Sequence, residues 1–351
     1  MAIKISPFGK TASGEDVTMY RLINEKGICA DIIDFGACLV NLYVPDREGN
    51  KRDVVLGFDS VSGYENNDPA FGAVVGRNCN RIAGGKFKLS EKTYQLEQNE
   101  GKNNLHSGYN KYHQRMWSAY AKEGEFGQGI SLSLISQDGD QGFPGRLSVN
   151  TSYILTNEGH LHITYCAKPD QDTIINMTNH SYFNLNGHSF GNAEGHLLEI
   201  DADNYTPINS ELIPTGEIRS VKDTPFDFRV EKTIGADIEA DDPDLLIGNG
   251  YDHNFVLNNH GEYGHIAKLK GEESGILMDV FTDQPGVQLY TANFLDGTIM
   301  GKHGGCYPRR SGLCLETQGF PDAPNHENFP DTTVRAGDMY MSKTTLVFST
   351  Y

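Results

Sequence analysis

Neutral hydrogen-bonding side chains are concentrated in one short stretch of the chain, NMTNHSYFNLNG, at residues 176–187. If this stretch is a strand, alternation places His180, Tyr182 and Asn184 on one face and Ser181 on the other. An imidazole, a phenol and a carboxamide with no charged neighbour suit the recognition of a neutral, polyhydroxylated ligand. A buried histidine whose nitrogens bond to backbone groups explains the same pattern equally well.

A glutamate in the middle of a predicted strand is the second unusual feature. Glu316 lies in SGLCLETQG, residues 311–319, although glutamate is depleted in strands and costly to bury without a partner. A carboxylate in such a position usually has a function. Together with His180 and with His106 of the segment NNLHSG, it would suit proton transfer on a neutral sugar.

Three further segments carry polar side chains at the ends of predicted strands or within them. Asn80 and Arg81 close the segment FGAVVGRNCNRI, where the guanidinium could bind ligand hydroxyls or could pair with acidic neighbours. Asp252, in GYDHNFVL, could accept hydrogen bonds from adjacent hydroxyls or could cap a turn. Gln288 lies in the predicted strand GVQLYTANF.

The elements that carry these residues read as strands joined by tight turns. The chain has 39 glycines, 17 tyrosines and 17 phenylalanines and few long helical patterns, which favours strands over helices. It shows no βαβ rhythm, no repeat of fixed period and no low-complexity linker. We therefore predict one all-β domain over residues 1–351, a large antiparallel β-sandwich. Strands are predicted at residues 29–35, 38–44, 53–58, 146–155 and 161–166.

Composition excludes several classes of partner. Aspartate and glutamate outnumber lysine and arginine by 47 to 29, so the net charge of −18 disfavours nucleic acid and anionic membranes. The N-terminal segment MAIKISPFGK lacks the apolar run of a secretory signal, and no stretch has the roughly 18 apolar residues of a membrane span. The six cysteines form no Cys-x-x-Cys pair, which argues against a zinc site. We expect a cytoplasmic protein with free thiols.

Six segments in this order resemble the aldose 1-epimerase, or galactose mutarotase, family: GRNCNRIAGG, NNLHSG, TNHSYFNLNG, GYDHNFVL, GVQLYTANF and CLETQGFPDAPN. The resemblance extends over nearly the whole chain. It implies a large β-sandwich with an open sugar cleft, and an activity that interconverts the α and β anomers of free hexoses such as D-galactose and D-glucose. It also implies that the reaction needs no metal and no other cofactor.

The resemblance also implies a role for each matching residue. Glu316 matches the family's general base, His180 its general acid, and His106 a second histidine near the ring oxygen. The chemistry would then require an ionised carboxylate and an imidazolium at rest. The hydroxyl-binding positions implied are Asn80, Arg81, Asp252 and Gln288, and Ser181 and Tyr182 are expected to add contacts.

Two departures from the family pattern stand out, and two other functions stay open. Ser107 replaces the first glycine of a Leu-His-Gly-Gly motif, and Cys79 stands where a small apolar residue is usual. A glycoside hydrolase could use Glu316 and Asp252 as its two carboxylates, but the two histidines would then have no role. A non-enzymatic sugar-binding protein could share the fold. The expected partner is a monosaccharide, and the chain is expected to be a monomer or homodimer.

Overall fold

Strands dominate the computed structural model, which describes residues 3–124 and 127–351. In this part of the chain the helices α1 (Val61–Glu65) and α2 (Pro243–Gly248) are short, and no helix is long and apolar enough to cross a membrane. The first strands are β1 Lys4–Lys10, β2 Asp16–Ile23, β3 Cys29–Ile33, β4 Leu39–Pro45, β5 Lys51–Asp53, β6 Ala73–Val75, β7 Arg81–Ile82, β8 Lys86–Leu89, β9 Lys92–Gln95, β10 Asn104–Leu105, β11 Ser118–Gly124, β12 Gly127–Ser136, β13 Leu147–Thr156 and β14 His160–Pro169. The later strands are β15 Thr173–Ile174, β16 Thr178–His180, β17 Leu197–Ile200, β18 Asn204–Thr206, β19 Arg219–Ser220, β20 Lys232–Thr233, β21 Asp252–Val256, β22 Gly264–Lys270, β23 Ile276–Thr282, β24 Gly286–Tyr290, β25 Cys314–Gln318, β26 Thr333–Val334 and β27 Tyr340–Thr350.

Three large antiparallel sheets form the layers of the molecule. One has nine strands in the order β11-β12-β13-β14-β27-β23-β22-β17-β20, and two have five strands each, β1-β2-β3-β4-β5 and β19-β18-β21-β24-β25. The prediction of an all-β antiparallel sandwich is confirmed.

A single hydrophobic cluster joins the three sheets. It contains Ile32 from β3, Tyr153 from β13, Val280 from β23 and Leu289 from β24, all fully buried. Because side chains alternate along a strand, each sheet turns one apolar face toward this cluster. The cluster explains why the predicted strands at 146–155 and 161–166 show clear alternation, since β13 and β14 have one buried face each.

The predicted strand at residues 53–58 is wrong beyond Asp53, the last residue of β5. The segment that follows is extended and buried, but its backbone bonds to several different partners: Val54 N–H donates to Leu42 O, and Leu56 N–H donates to Tyr182 O. A buried connection needs the same apolar side chains as a buried strand. The run Val54-Val55-Leu56 therefore could not distinguish the two.

Candidate active site

The five-stranded sheet that ends in β25 carries the acidic side of the site. Glu316 lies at the centre of β25 and is paired with Gln288 of β24, while Asp252 of β21 is paired with Tyr290. Paired residues, and residues two apart on one strand, share a face of a sheet. The register therefore puts Glu316, Gln288 and Asp252 on the same face.

His180 reaches Glu316 from a different strand pair. It ends β16, which pairs with β6 through His180 and Ala73. The hydroxyl of Thr178, in the same strand, donates to the carbonyl of Thr317 at 3.0 Å and so fixes β16 beside β25. As a result, Nε2 of His180 lies 3.6 Å from Oε1 of Glu316.

His106 is presented by the turn that follows β10. This strand pairs with β7, and Leu105 is opposite Arg81. The backbone N–H of Asn80 donates to Nδ1 of His106 at 3.1 Å, so the neutral imidazole must carry its proton on Nε2. The rings of His106 and His180 have centroids 5.4 Å apart and are nearly perpendicular, at 82°.

These groups meet in one cavity of about 510 Å³. Seven of the nine predicted site residues line it: Asn80, Arg81, His106, His180, Tyr182, Asp252 and Glu316. Sequence reasoning missed Asp68, Glu100, Leu212 and Phe294, which also line it. A larger groove of about 710 Å³ is lined by none of the nine.

The two other predicted residues do not line this cavity. Ser181 is buried, and its hydroxyl donates to Oδ1 of Asn179 at 2.5 Å within the protein. It directly follows His180, the last residue of β16. Gln288 instead donates from Nε2 to Oδ1 of Asp252 at 2.7 Å, which makes it a support for that carboxylate.

Tyr182 lines the cavity with its ring rather than its hydroxyl. The hydroxyl donates to the carbonyl of Pro69 at 2.9 Å, and the ring centroid is 5.1 Å from that of His180. The phenol is thus already paired within the protein. Its contribution to a ligand site is an apolar surface next to the imidazole.

Arg81 pairs with two acidic neighbours and also lines the cavity. Its Nε and Nη2 donate to the two carboxylate oxygens of Glu100 at 2.7 and 2.9 Å, and Nη1 lies 3.6 Å from Oδ2 of Asp252. Burial works against its charge, but Asp252 and Glu100 outweigh burial and raise its pKa. Arg77, four residues earlier, is buried elsewhere and donates to Pro144 O and Ser136 Oγ.

Burial pushes both members of the facing pair toward their neutral forms. It lowers the pKa of His180 to about 4 and, together with the charge of Asp252, raises the pKa of Glu316 well above its ordinary 4.5. Burial, helped by His180 and Arg81, also holds the pKa of His106 well below 6.5. Burial therefore opposes the expected resting ion pair of carboxylate and imidazolium. It favours a neutral pair in which Glu316 carries the one exchangeable proton.

A buried thiol completes a set of donors that could hold a metal ion. Sγ of Cys314 lies 3.5 Å from Nδ1 of His180, and one ligand atom each from Cys314, His180 and Glu316 lie within 4.8 Å of one another. Nitrogen, sulfur and carboxylate oxygen are all donors that zinc accepts. His180 and Glu316 can also exchange a proton through their own imidazole and carboxyl groups.

Comparison with known proteins identifies the family to which this site belongs. The model of the aldose 1-epimerase family matches residues 18–347. The chain belongs to the aldose 1-epimerase family. It is 42% identical over 342 residues to the galactose mutarotase of Homo sapiens, covering 97% of each chain. It is 35% identical over 338 residues to the aldose 1-epimerase of Escherichia coli, covering 95% of this chain and 96% of that protein.

Solved structures agree with this assignment. An aldose epimerase homologue from C. elegans is similar with a TM-score of 0.87 and 32% identity, over 95% of this chain and 98% of that one. A galactose 1-epimerase from Lactobacillus acidophilus is similar with a TM-score of 0.88 and 26% identity, over 99% of each chain. The aldose 1-epimerase family and its fold, expected from the six segments, are confirmed.

Proposed function

We propose that this chain interconverts the α and β anomers of free hexoses such as D-galactose and D-glucose. The observation that carries the proposal is the approach of His180 Nε2 to Glu316 Oε1, 3.6 Å, at the wall of a cavity that also presents His106. Anomer exchange requires one group to accept a proton and another to deliver one. The names of the human and Escherichia coli relatives, a galactose mutarotase and an aldose 1-epimerase, support the same reaction.

In the proposed mechanism Glu316 accepts the proton of the anomeric hydroxyl while His180 delivers a proton to the ring oxygen. The bond between the anomeric carbon and the ring oxygen breaks, and the anomeric carbon becomes an aldehyde. Rotation about the adjacent carbon–carbon bond and reclosure, with the two proton transfers reversed, give the other anomer. Each well-placed acid or base typically contributes about 10²- to 10⁴-fold to the rate.

The remaining residues hold the sugar in this mechanism. Nε2–H of His106 donates a hydrogen bond near the ring oxygen, because Nδ1 is already occupied by the N–H of Asn80. Asn80, Arg81 and Asp252 bind the ring hydroxyls. Gln288 supports Asp252 through its hydrogen bond and is the fourth proposed hydroxyl-binding position.

The neutral resting pair fits this mechanism because it holds the one proton that the reaction uses. Transfer of that proton from Glu316 to His180 produces the base and the acid together. Sugar hydroxyls bonded to both groups replace the solvation that burial removed. Addition of a second proton to His180, whose pKa is about 4, or loss of the proton above the raised pKa of Glu316 would stop the reaction. The pH profile of kcat/KM is therefore bell-shaped, with its acid limb near pH 4.

Polarimetry on freshly dissolved α-D-galactose and α-D-glucose tests the proposal. The wild type should accelerate the approach to anomeric equilibrium, and Glu316→Gln and His180→Asn should each lose most of that acceleration while keeping a folded thermal transition. Relative rates on the two sugars give the preferred substrate. A wild-type rate equal to that of buffer would contradict the proposal.

The same experiment separates the two alternatives. A glycoside hydrolase would release free sugars from a disaccharide, but Asp252, its second carboxylate, is already bonded to Gln288 and lies beside Arg81. A sugar-binding protein would bind galactose in a calorimeter without accelerating anomer exchange. A glycoside hydrolase would also leave His106 and His180 without a role.

We also propose that residues 1–351 form one domain that works in the cytosol as a monomer or homodimer. The six cysteines are free thiols, which suits a reducing compartment. Size-exclusion chromatography with light scattering measures the oligomeric state, and limited proteolysis tests whether the chain resists cleavage as one unit.

A further inference from the structure

The loop that presents His106 has an unusual backbone. Three consecutive residues have positive φ angles: His106 at 51°, Ser107 at 70° and Gly108 at 107°. Residues with a Cβ rarely adopt this left-handed conformation, because the Cβ approaches the neighbouring carbonyl oxygen. Position 107 is also the one where the related sequence pattern has glycine. Other contacts must therefore stabilise serine there.

The hydroxyl of Ser107 makes two hydrogen bonds, both with one residue on another segment. Its Oγ accepts the backbone N–H of Asn78 at 2.8 Å and donates to the carbonyl of Asn78 at 2.9 Å. Both residues are buried. The residues on either side of Asn78 bond to Asn176 instead. The N–H of Cys79 donates to the carbonyl of Asn176, and the N–H of Asn176 donates to the carbonyl of Arg77. Asn78 thus turns both of its backbone groups toward Ser107.

The segment that Ser107 holds is the one that orients His106. Two residues after Asn78, the N–H of Asn80 donates to Nδ1 of His106 at 3.1 Å, and the carbonyl of Asn80 accepts the N–H of His106 at 3.1 Å. Four hydrogen bonds therefore join residues 78–80 to residues 106–107. Two of the four depend on the hydroxyl of Ser107.

We propose that Ser107 is a positioning residue that locks residues 78–80 against the His106 loop and thereby fixes the tautomer and orientation of the His106 imidazole. Glycine at position 107 would remove the backbone strain, but it would leave the buried N–H and carbonyl of Asn78 without this partner. In this chain the serine hydroxyl performs a task that glycine cannot. The catalytic consequence rests on the role proposed for His106 above, whereas the effect on its tautomer does not.

The test compares Ser107→Gly and Ser107→Ala with the wild type by ¹⁵N NMR of the histidine ring nitrogens. In the wild type His106 should be a single Nε2–H tautomer that does not titrate near neutral pH. In both variants we expect a mixture of tautomers and a His106 pKa closer to its ordinary value, because the loosened loop admits water. We also expect kcat to fall about 10- to 100-fold, since small misplacements of catalytic groups have effects of this size.

Ser274→Ala is the matched control. Ser274 is also buried, and its Oγ accepts the N–H of Ile276 at 3.1 Å, outside the residues that line the cavity. This variant should lower the melting temperature without changing the His106 signals. If Ser107→Ala fails to fold, the NMR and rate measurements can still be made on Ser107→Gly, because glycine adopts the loop conformation freely.

The outcomes are distinct for the two proposals. If both Ser107 variants are folded and keep a single His106 tautomer with an unchanged pKa, the positioning role is refuted. If the wild type shows the single tautomer but does not accelerate anomer exchange, the proposed function fails while the positioning role stands.

Discussion

Replacing Glu316 with glutamine should make the protein almost inactive and, at neutral pH, more stable. Glu316 is 2% exposed, and its Oε2 has no hydrogen-bond partner within residues 3–124 and 127–351. Glutamine has the same shape but cannot accept the hydroxyl proton, so the rate should fall about 10²- to 10⁴-fold. This corresponds to about 3 to 5 kcal/mol of activation free energy.

The gain in stability follows from the raised pKa of Glu316. Burial and then Asp252 make ionisation harder in the folded chain than in the unfolded chain, where the ordinary pKa is 4.5. The contribution of Glu316 to stability is therefore fully present below pH 4.5 and is lost as the pH rises through the folded-state pKa. Each unit by which the pKa of Glu316 is raised lowers the free energy of unfolding by about 1.36 kcal/mol once the carboxyl group is ionised. One unit would change the melting temperature by about 2 to 4 °C in a large domain.

Thermal melts at pH 4 and pH 8, beside polarimetry at pH 8, check both parts of this prediction. Because glutamine cannot ionise, the melting temperature of Glu316→Gln should match that of the wild type at pH 4 and exceed it at pH 8. The exposed Glu262→Gln is the control and should change neither property. A variant that melts below the wild type at pH 8, or that keeps its activity, would refute the reasoning.

Three further substitutions test other contacts of the structure. Asp252→Asn removes a charge that raises the pKa of Glu316, so the alkaline limb of kcat/KM, measured by polarimetry, should move to lower pH. Glu100→Gln weakens the bidentate pair with Arg81 and leaves the guanidinium free to bind a phosphate group. A hexose 6-phosphate that inhibits the wild type poorly should therefore inhibit this variant at least about tenfold better, because a charge-assisted hydrogen bond contributes about 1.5 to 3 kcal/mol. In the wild type Nζ of Lys302 lies 2.7 Å from Oδ2 of Asp53, so Lys302→Met leaves the buried Asp53 carboxylate without its partner. A denaturant titration should show a free energy of unfolding lower by about 3 to 5 kcal/mol, while the folded protein stays active.

The fold was predictable where a strand has one buried and one exposed face. β13 and β14 alternate along their whole length, and their bounds agree with the predicted ones to within a few residues. Prediction failed for the buried connection that follows β5. The residues after Asp53 are as apolar as a strand, but the hydrogen bonds of their backbone lead to several partners that the sequence does not indicate.

Much of the site was also predictable, because unusual residue types indicate it. Glu316 is conspicuous as a carboxylate at the centre of a fully buried strand. Arg77 and Arg81 show the limit of this reasoning: they lie in one segment with similar neighbours, yet one is buried away from the cavity and the other lines it. Glu100 and Leu212 were missed because their contribution depends on how distant loops meet. The local sequence around them gives no signal of that contact.

The acid and base residues could be predicted from the sequence, but their resting charges could not, because the charges depend on burial in the fold. The roles implied by the family resemblance suggested a carboxylate facing an imidazolium, each stabilising the charge of the other. In the fold both groups are buried, and burial favours the neutral form of each because removing charges from water is costly. In the proposed mechanism the proton of Glu316 becomes mobile when sugar hydroxyls replace the lost water. The burial that makes this carboxylate costly to ionise also keeps the proton beside the imidazole that will use it.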